Sequence, residues 1–144
     1  MNISKFTQKS VQAVQDLEKV AYEYGNQEVE QEHLLYALLT QEDSLILKLI
    51  EKMEINKDYF INTVKKALDA KVKVSGGDLR FGQYLNKSLV NAENEAKAMG
   101  DEYVSVEHLF LSLLTQPSPS MKKIFNEFGI TRERFLQALS TVRG

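Results

Sequence analysis

The sequence has no cysteine, no tryptophan, only two prolines and only two histidines among its 144 residues. Without cysteine there are no disulfides and no thiolate zinc sites, so metal chemistry is not expected, and the missing thiols suit a cytoplasmic location. Charge of one sign is not in excess either. The 18 basic and 20 acidic side chains give a net −2 with no basic run, so the clustered positive field that binds phosphates is missing and no nucleic-acid partner is expected. No apolar run approaches the roughly 18 residues of a membrane span, and the polar start Met1-Asn2-Ile3-Ser4-Lys5 lacks a signal-peptide core, so no membrane partner is expected. A Gly-x-x-x-x-Gly-Lys-Ser/Thr loop is also absent, since Gly76-Gly77 is followed by Asp78 rather than lysine, and P-loop chemistry is excluded for this chain.

What is present is a repetition. Gly25 to Gln41 and Gly100 to Gln116 share Gly, Val, Glu-His-Leu and Leu-Leu-Thr-Gln at an offset of 75 residues. Carried without a gap from Phe6/Phe81 to Asp69/Gly144, that offset gives 16 identical pairs in 64, so the chain is a tandem duplication. The expected organisation is one domain over 1–144, with repeat one at 1–70, a linker at 71–80 and repeat two at 81–144.

Helical periodicity fills both repeats. Phe6, Val11, Val14, Leu17, Val20, Ala21 and Tyr24 form one stripe from about Ser4 to Tyr24, stopped by Gly25. Leu34, Leu35, Leu38 and Leu39 put two apolar residues on every turn of a short helix, which predicts burial on all sides. Ser44 and Asn56 can cap a third and a fourth helix. The second repeat predicts helices over 86–99, 105–115, 118–128 and 131–142, with Pro117 and Pro119 where a helix can begin but not continue. Residues 71–80 have no such period and read as the connection. The fold class is all-α, two pseudo-symmetric four-helix repeats packed on each other, with Leu38 and Leu113 as equivalent buried positions.

Glu32-His33 and Glu107-His108 invite an acid/base reading, but neighbours on a helix point about 100° apart and cannot form a working pair, and no second histidine follows at i+4. No catalytic residue is assigned, and a small Glu/His hydrolase is the remote rival. The histidines read as packed structural groups. The two glutamates lie in the first turn of the short helices, where the helix dipole favours a carboxylate by about 0.3–1 kcal/mol. Their functional reading is that they stand near the surface and accept cationic or polar groups of a partner.

The segments Asn26-Gln27-Glu28-Val29, Glu32-His33-Leu34-Leu35, Gln41-Glu42-Asp43-Ser44-Leu45, Lys73-Val74-Ser75-Gly76-Gly77 and Gly100-Asp101-Glu102-Tyr103-Val104-Ser105-Val106-Glu107-His108 resemble the amino-terminal double-repeat domain of the Clp/Hsp100 ATPases, and among them most closely those of the ClpB disaggregase type. The resemblance covers essentially the whole chain. It implies a non-catalytic recruitment domain with no cofactor of its own, hung on a hexameric AAA+ ring whose ATP and Mg sites lie in modules outside this sequence. The implied partners are unfolded or aggregated client proteins, bound through their exposed apolar segments, together with the parent ring and co-chaperones, and the isolated domain is expected to be a monomer. It implies further that Thr7, Asp101 and Glu107 handle substrate. The alternative reading is a ClpC-type domain serving a Clp protease, which binds adaptor proteins or phosphoarginine-marked substrates, the latter at the positions of Glu32 and Glu107; where that pattern has a threonine before each glutamate, this chain has Gln31 and Val106.

The asymmetry between repeats suggests where clients bind. Tyr84 and Leu85 match Lys9 and Ser10, and Tyr103 matches Glu28, so repeat two carries apolar residues that the shared fold does not demand. An exposed client-binding patch is therefore expected across Tyr84, Leu85, Leu89 and Tyr103. Tyr36 is a further candidate for outside contact.

Overall fold

The computed structural model describes residues 3–74 and 76–143, and eight α-helices fill it: α1 (Gln8–Glu23), α2 (Gln31–Leu39), α3 (Leu45–Lys52), α4 (Lys57–Asp69), α5 (Gln83–Ala98), α6 (Val106–Thr115), α7 (Pro119–Glu127) and α8 (Arg132–Arg143). A 3-10 turn, Ile3–Lys5, precedes α1, and two short strands, β1 (Glu28–Val29) and β2 (Arg80–Phe81), lie between helices. The class is all-α, as the periodicity predicts.

The helix starts follow from local chemistry. Thr7, Ser44, Asn56 and Ser118 each accept a backbone N–H of the first turn, the usual remedy for amides that have no intrahelical acceptor. At the ends of α1 and α5 the chain turns through Gly25 (φ 68°) and Gly100 (φ 72°), a left-handed conformation that costs glycine little. The amides that follow close the turn, Asn26 N–H on Ala21 O at 2.8 Å and Asp101 N–H on Ala96 O at 2.9 Å. The helix expected from about Ser4 begins later, because the Thr7 cap separates it from the 3-10 turn. α5 begins three residues before the expected Asn86, at Gln83.

Helices α2 and α6 form the centre. Eight residues of α2, from Gln31 to Leu39 with only Tyr36 excepted, are buried, and so are eight of α6. Leu38 and Leu113 are both fully buried, as the repeat predicts. α1 packs on α2 and α5 on α6, while α3 reaches across to α6 and α8 and α2 touches α5 and α6. Phe128 at the end of α7 meets Tyr59 and Phe60 of α4 edge-on, at 5.2 and 4.9 Å. Tyr36, expected outside, is half-buried with its ring edge-on to Tyr24 at 5.9 Å.

The connection 71–80 is more than a tether. Val74 N–H donates to Gly25 O (2.9 Å), Asn26 Nδ2 donates to Val72 O (3.1 Å), and Arg80 N–H donates to Gln27 O (2.9 Å), so the segment is sewn along the turn between α1 and α2. Strand β2 then pairs in parallel with β1, Val29 opposite Phe81. The isolated bridge Phe6–Val104 is the same pair displaced by the repeat offset, with Thr7 N–H on Val104 O (3.0 Å) matching Gly82 N–H on Val29 O (2.8 Å). Each repeat thus lends the segment before its first helix to the other repeat. Sequence periodicity could not reveal this, because a two-residue ladder has no period.

Candidate binding site

The short helices α2 and α6 start with the same device. His33 Nδ1 accepts the Glu30 N–H at 2.8 Å and His108 Nδ1 accepts the Ser105 N–H at 2.8 Å. With Nδ1 an acceptor, the neutral ring carries its proton on Nε2, which reaches Asn26 Oδ1 at 2.9 Å in repeat one and Asp101 Oδ2 at 2.8 Å in repeat two. Each histidine therefore ties a helix start to the turn before it, which is the structural role read from the sequence. Burial away from water lowers the His33 pKa to about 4, with nearby Lys71 acting in the same direction.

The two glutamates do not stand at the surface. Glu32 is 2% exposed and Glu107 7%, because the helices that carry them are covered all round. Glu32 Oε2 accepts from Ser120 Oγ of α7 at 2.6 Å and lies 3.3 Å from Lys71 Nζ, which also binds Glu30 at 2.7 Å. Glu107 Oε2 lies 3.6 Å from Arg143 at the end of α8, and the same guanidinium donates to Asp101 Oδ1 at 2.6 Å. That bond from Arg143 is the main cause holding the Asp101 carboxyl below its usual pKa, and the His108 hydrogen bond adds to it. In each repeat a cation from just beyond or at the end of the fourth helix covers the glutamate of the second.

Of the expected patch, Tyr84 and Tyr103 are exposed, at 43% and 53%, whereas Leu85 and Leu89 belong to the core at 0% and 3%. The expectation fails for the leucines because Ser10, the counterpart of Leu85, is buried as well. Ser10 is polar there since it accepts from the hydroxyl of the α1 cap, Thr7, at 3.0 Å; α5 is capped by Gly82, which has no side chain to serve, so an apolar residue fills the same space. Thr7 sits beside the turn before α6, its amide on Val104 O. The structure therefore brings Thr7, Asp101, Tyr103 and Glu107 to one turn of repeat two. Tyr84 follows Gly82 at the other exchange, against Val29, and no described contact joins it to Tyr103.

Sequence reasoning passed over Arg143, Lys71, Ser120 and Gln31. Gln31 Nε2 donates to Ser88 Oγ (2.8 Å) and Gln116 O (2.9 Å) while its Oε1 accepts from Ser118 N–H (2.8 Å), so a buried amide of repeat one is satisfied entirely by repeat two. Its counterpart Val106 signals the asymmetry but not the partners. A second buried polar group, Glu95, is held by Arg132 at 2.7 Å, which joins α5 to α8. Among the described residues no group of three or more histidine, aspartate or glutamate side chains is placed to hold a metal ion, and no helix is long and apolar enough to cross a membrane.

The family profile of the Clp repeat (R) N-terminal domain matches residues 5–141. The chaperone protein ClpB of Nitratidesulfovibrio vulgaris is 39% identical over 150 residues, an alignment that takes in 100% of this chain and 17% of that protein. Among solved structures, the Hsp104 N-terminal domain from Candida albicans superposes with a TM-score of 0.83 at 22% identity, covering 97% of this chain and 92% of that one. A ClpV N-domain solved in complex with a VipB peptide superposes at 0.71 and 22% identity, covering 96% of this chain and 89% of that one.

Proposed function

The chain belongs to the Clp repeat N-terminal domain family of Clp/Hsp100 chaperones, and from that premise we propose that it is the client-recruiting domain of a ClpB-type disaggregase, acting without catalysis of its own. Since it spans 17% of that ClpB relative, the ATPase ring with its ATP and Mg, the hexamer and any co-chaperone belong to this proposal and lie outside these residues. The observation that carries the reading is the cluster of Thr7, Asp101, Tyr103 and Glu107 around a single turn, with Tyr103 exposed and next in sequence to Glu102. An exposed aromatic next to charge offers weak, sequence-tolerant contact, which suits a recruiter that must release what it holds. That a ClpV N-domain of the same fold has been captured with a peptide supports a peptide-binding role.

The phosphoarginine reading needs Glu32 as well as Glu107, and it has less support because Lys71 and Ser120 would have to leave the buried Glu32 carboxylate. Calorimetric titration of an unfolded client protein separates the cases. Glu107→Gln is expected to weaken binding about fivefold, while the melting temperature moves little, since the helix-start term is about 1 kcal/mol or less. Equal affinity of variant and parent would return Glu107 to a purely structural role.

A further inference from the structure

Along the outer face of α5 runs a groove of about 470 Å³, lined by Asn86, Lys87, Val90, Asn91 and Asn94 of the helix and by Gln116 at the end of α6. No carboxylate lines it. Helical spacing sets Lys87, Val90, Asn91 and Asn94 within about 100° of the circumference, and Val90 among them is 60% exposed. The Lys87 ammonium and the Gln116 carboxamide have no described partner. Of the two acids beside Asn94, Glu95 is buried and held by Arg132 at 2.7 Å, while Glu93 lies in the next cleft with Lys5 and Lys97.

Repeat one has a different surface at these positions. The offset matches Lys87, Asn91 and Gln116 with Gln12, Asp16 and Gln41, and Tyr84 and Pro117 with Lys9 and Glu42. There Lys9 Nζ donates to Glu42 O (2.6 Å), Gln41 Nε2 to Lys9 O (2.8 Å) and Gln12 Nε2 to Asp16 Oδ1 (2.9 Å), so side chains lace the groove shut. Repeat two has lost the lacing lysine to Tyr84. Replacing Gln12 and Asp16 by Lys87 and Asn91 also turns the charge of that pair from negative to positive.

We propose that the α5 groove takes an extended client segment of the pattern acidic-x-aliphatic, its carboxylate on Lys87, its aliphatic side chain on Val90 and its main chain on the carboxamides of Asn91, Asn94 and Gln116. This rests on the recruitment reading and names the segment recruited. Side chains two apart on an extended chain point the same way about 7 Å apart, close to the helical turn of about 5.4 Å that separates Lys87 from Val90 and Asn91. A carboxamide both donates and accepts, so it holds a peptide group whatever the residue that bears it. The groove ends at Asn94, one turn before Lys97, and Lys97 lines the next cleft together with Asp101 and Glu102 of the client turn. One extended chain can therefore run from that turn onto α5. The ammonium–carboxylate contact weakens as salt rises.

The probe is the blocked peptide Thr-Glu-Thr-Val-Thr-Ser, titrated into residues 1–144 and followed by backbone amide shifts. Shifts are expected at residues 84–94 and at Gln116. Replacing the peptide's glutamate by glutamine is expected to weaken binding about fivefold, as for one exposed ion pair, and replacing its valine by serine to weaken it about as much. Lys87→Glu is expected to reverse the preference, binding a peptide with lysine in place of glutamate more tightly than the parent does, an outcome that a merely unfolded variant could not give. An unchanged affinity of the glutamine peptide, no reversal by Lys87→Glu, or shifts that leave α5 untouched would each overturn the proposal. Acetate that displaced the peptide at equal concentration would show a site for a bare carboxylate, and the segment assignment would fall. An unfolded client that still moved residues 99–107 would then show that recruitment stands and only this mode is wrong.

Discussion

Residues 1–70 expressed alone are expected to show no cooperative thermal transition and little helix by circular dichroism. Several core positions of this repeat are covered by the other. Val29 is completely buried and pairs with Phe81, Phe6 with Val104, and Phe60 packs on Phe128. Helix α2 is buried on the side facing α5 and α6 as well as on the side facing α1 and α4, and Gln31 finds all its described hydrogen-bond partners in repeat two. Re-exposing an aliphatic or aromatic core side chain costs about 1.5–3 kcal/mol. A few such side chains sum to the same order as the roughly 5–15 kcal/mol by which an ordinary domain is stable. A sharp, cooperative melt of the isolated repeat would show that the exchange of segments is an ornament on two self-sufficient bundles.

Lowering the pH from 7 to 4 is expected to cost the parent about 3 kcal/mol more stability than it costs His33→Gln, as read from urea unfolding. The sign follows from burial. In the folded chain His33 has a pKa of about 4 against the ordinary 6.5, so below 6.5 the unfolded chain binds a proton that the folded one refuses. Stability from this group is complete above pH 6.5, falls as the pH drops towards 4, and is lost below that. The cause is geometric as well as electrostatic: Nδ1 already accepts the Glu30 amide, so a proton added there would displace that bond, while the charge would sit in a buried site near Lys71 and Lys73 as well as Glu32. Glutamine keeps an acceptor and a donor without titrating. Equal losses in parent and variant would mean that His33 takes up its proton in the folded state at ordinary pH.

The fold was legible where repetition and periodicity spoke together. The 75-residue offset identifies the paired glycine turns and the buried leucines before any coordinate is known. One departure is local: α3 is capped by Ser44 and α7 by Ser118, a spacing one residue short of the offset, because Pro119 takes the first helical position. The site was less legible. Comparing Ser10 with Leu85 suggested surface exposure, yet both are buried, one satisfied by Thr7 and one by neighbouring side chains; residue type alone does not separate a satisfied buried hydroxyl from a solvated one. Lys71 and Arg143 lie far along the chain from the carboxylates they cover, so no spacing rule points to them.

The most direct test of the recruitment reading is the amide spectrum of residues 1–144 titrated with an unfolded client protein. Shifts concentrated at Thr7 and at residues 99–107, including Tyr103 and Glu107, and lost on Tyr103→Ala, are the result predicted. Shifts confined to repeat one, or none at millimolar client, would contradict it.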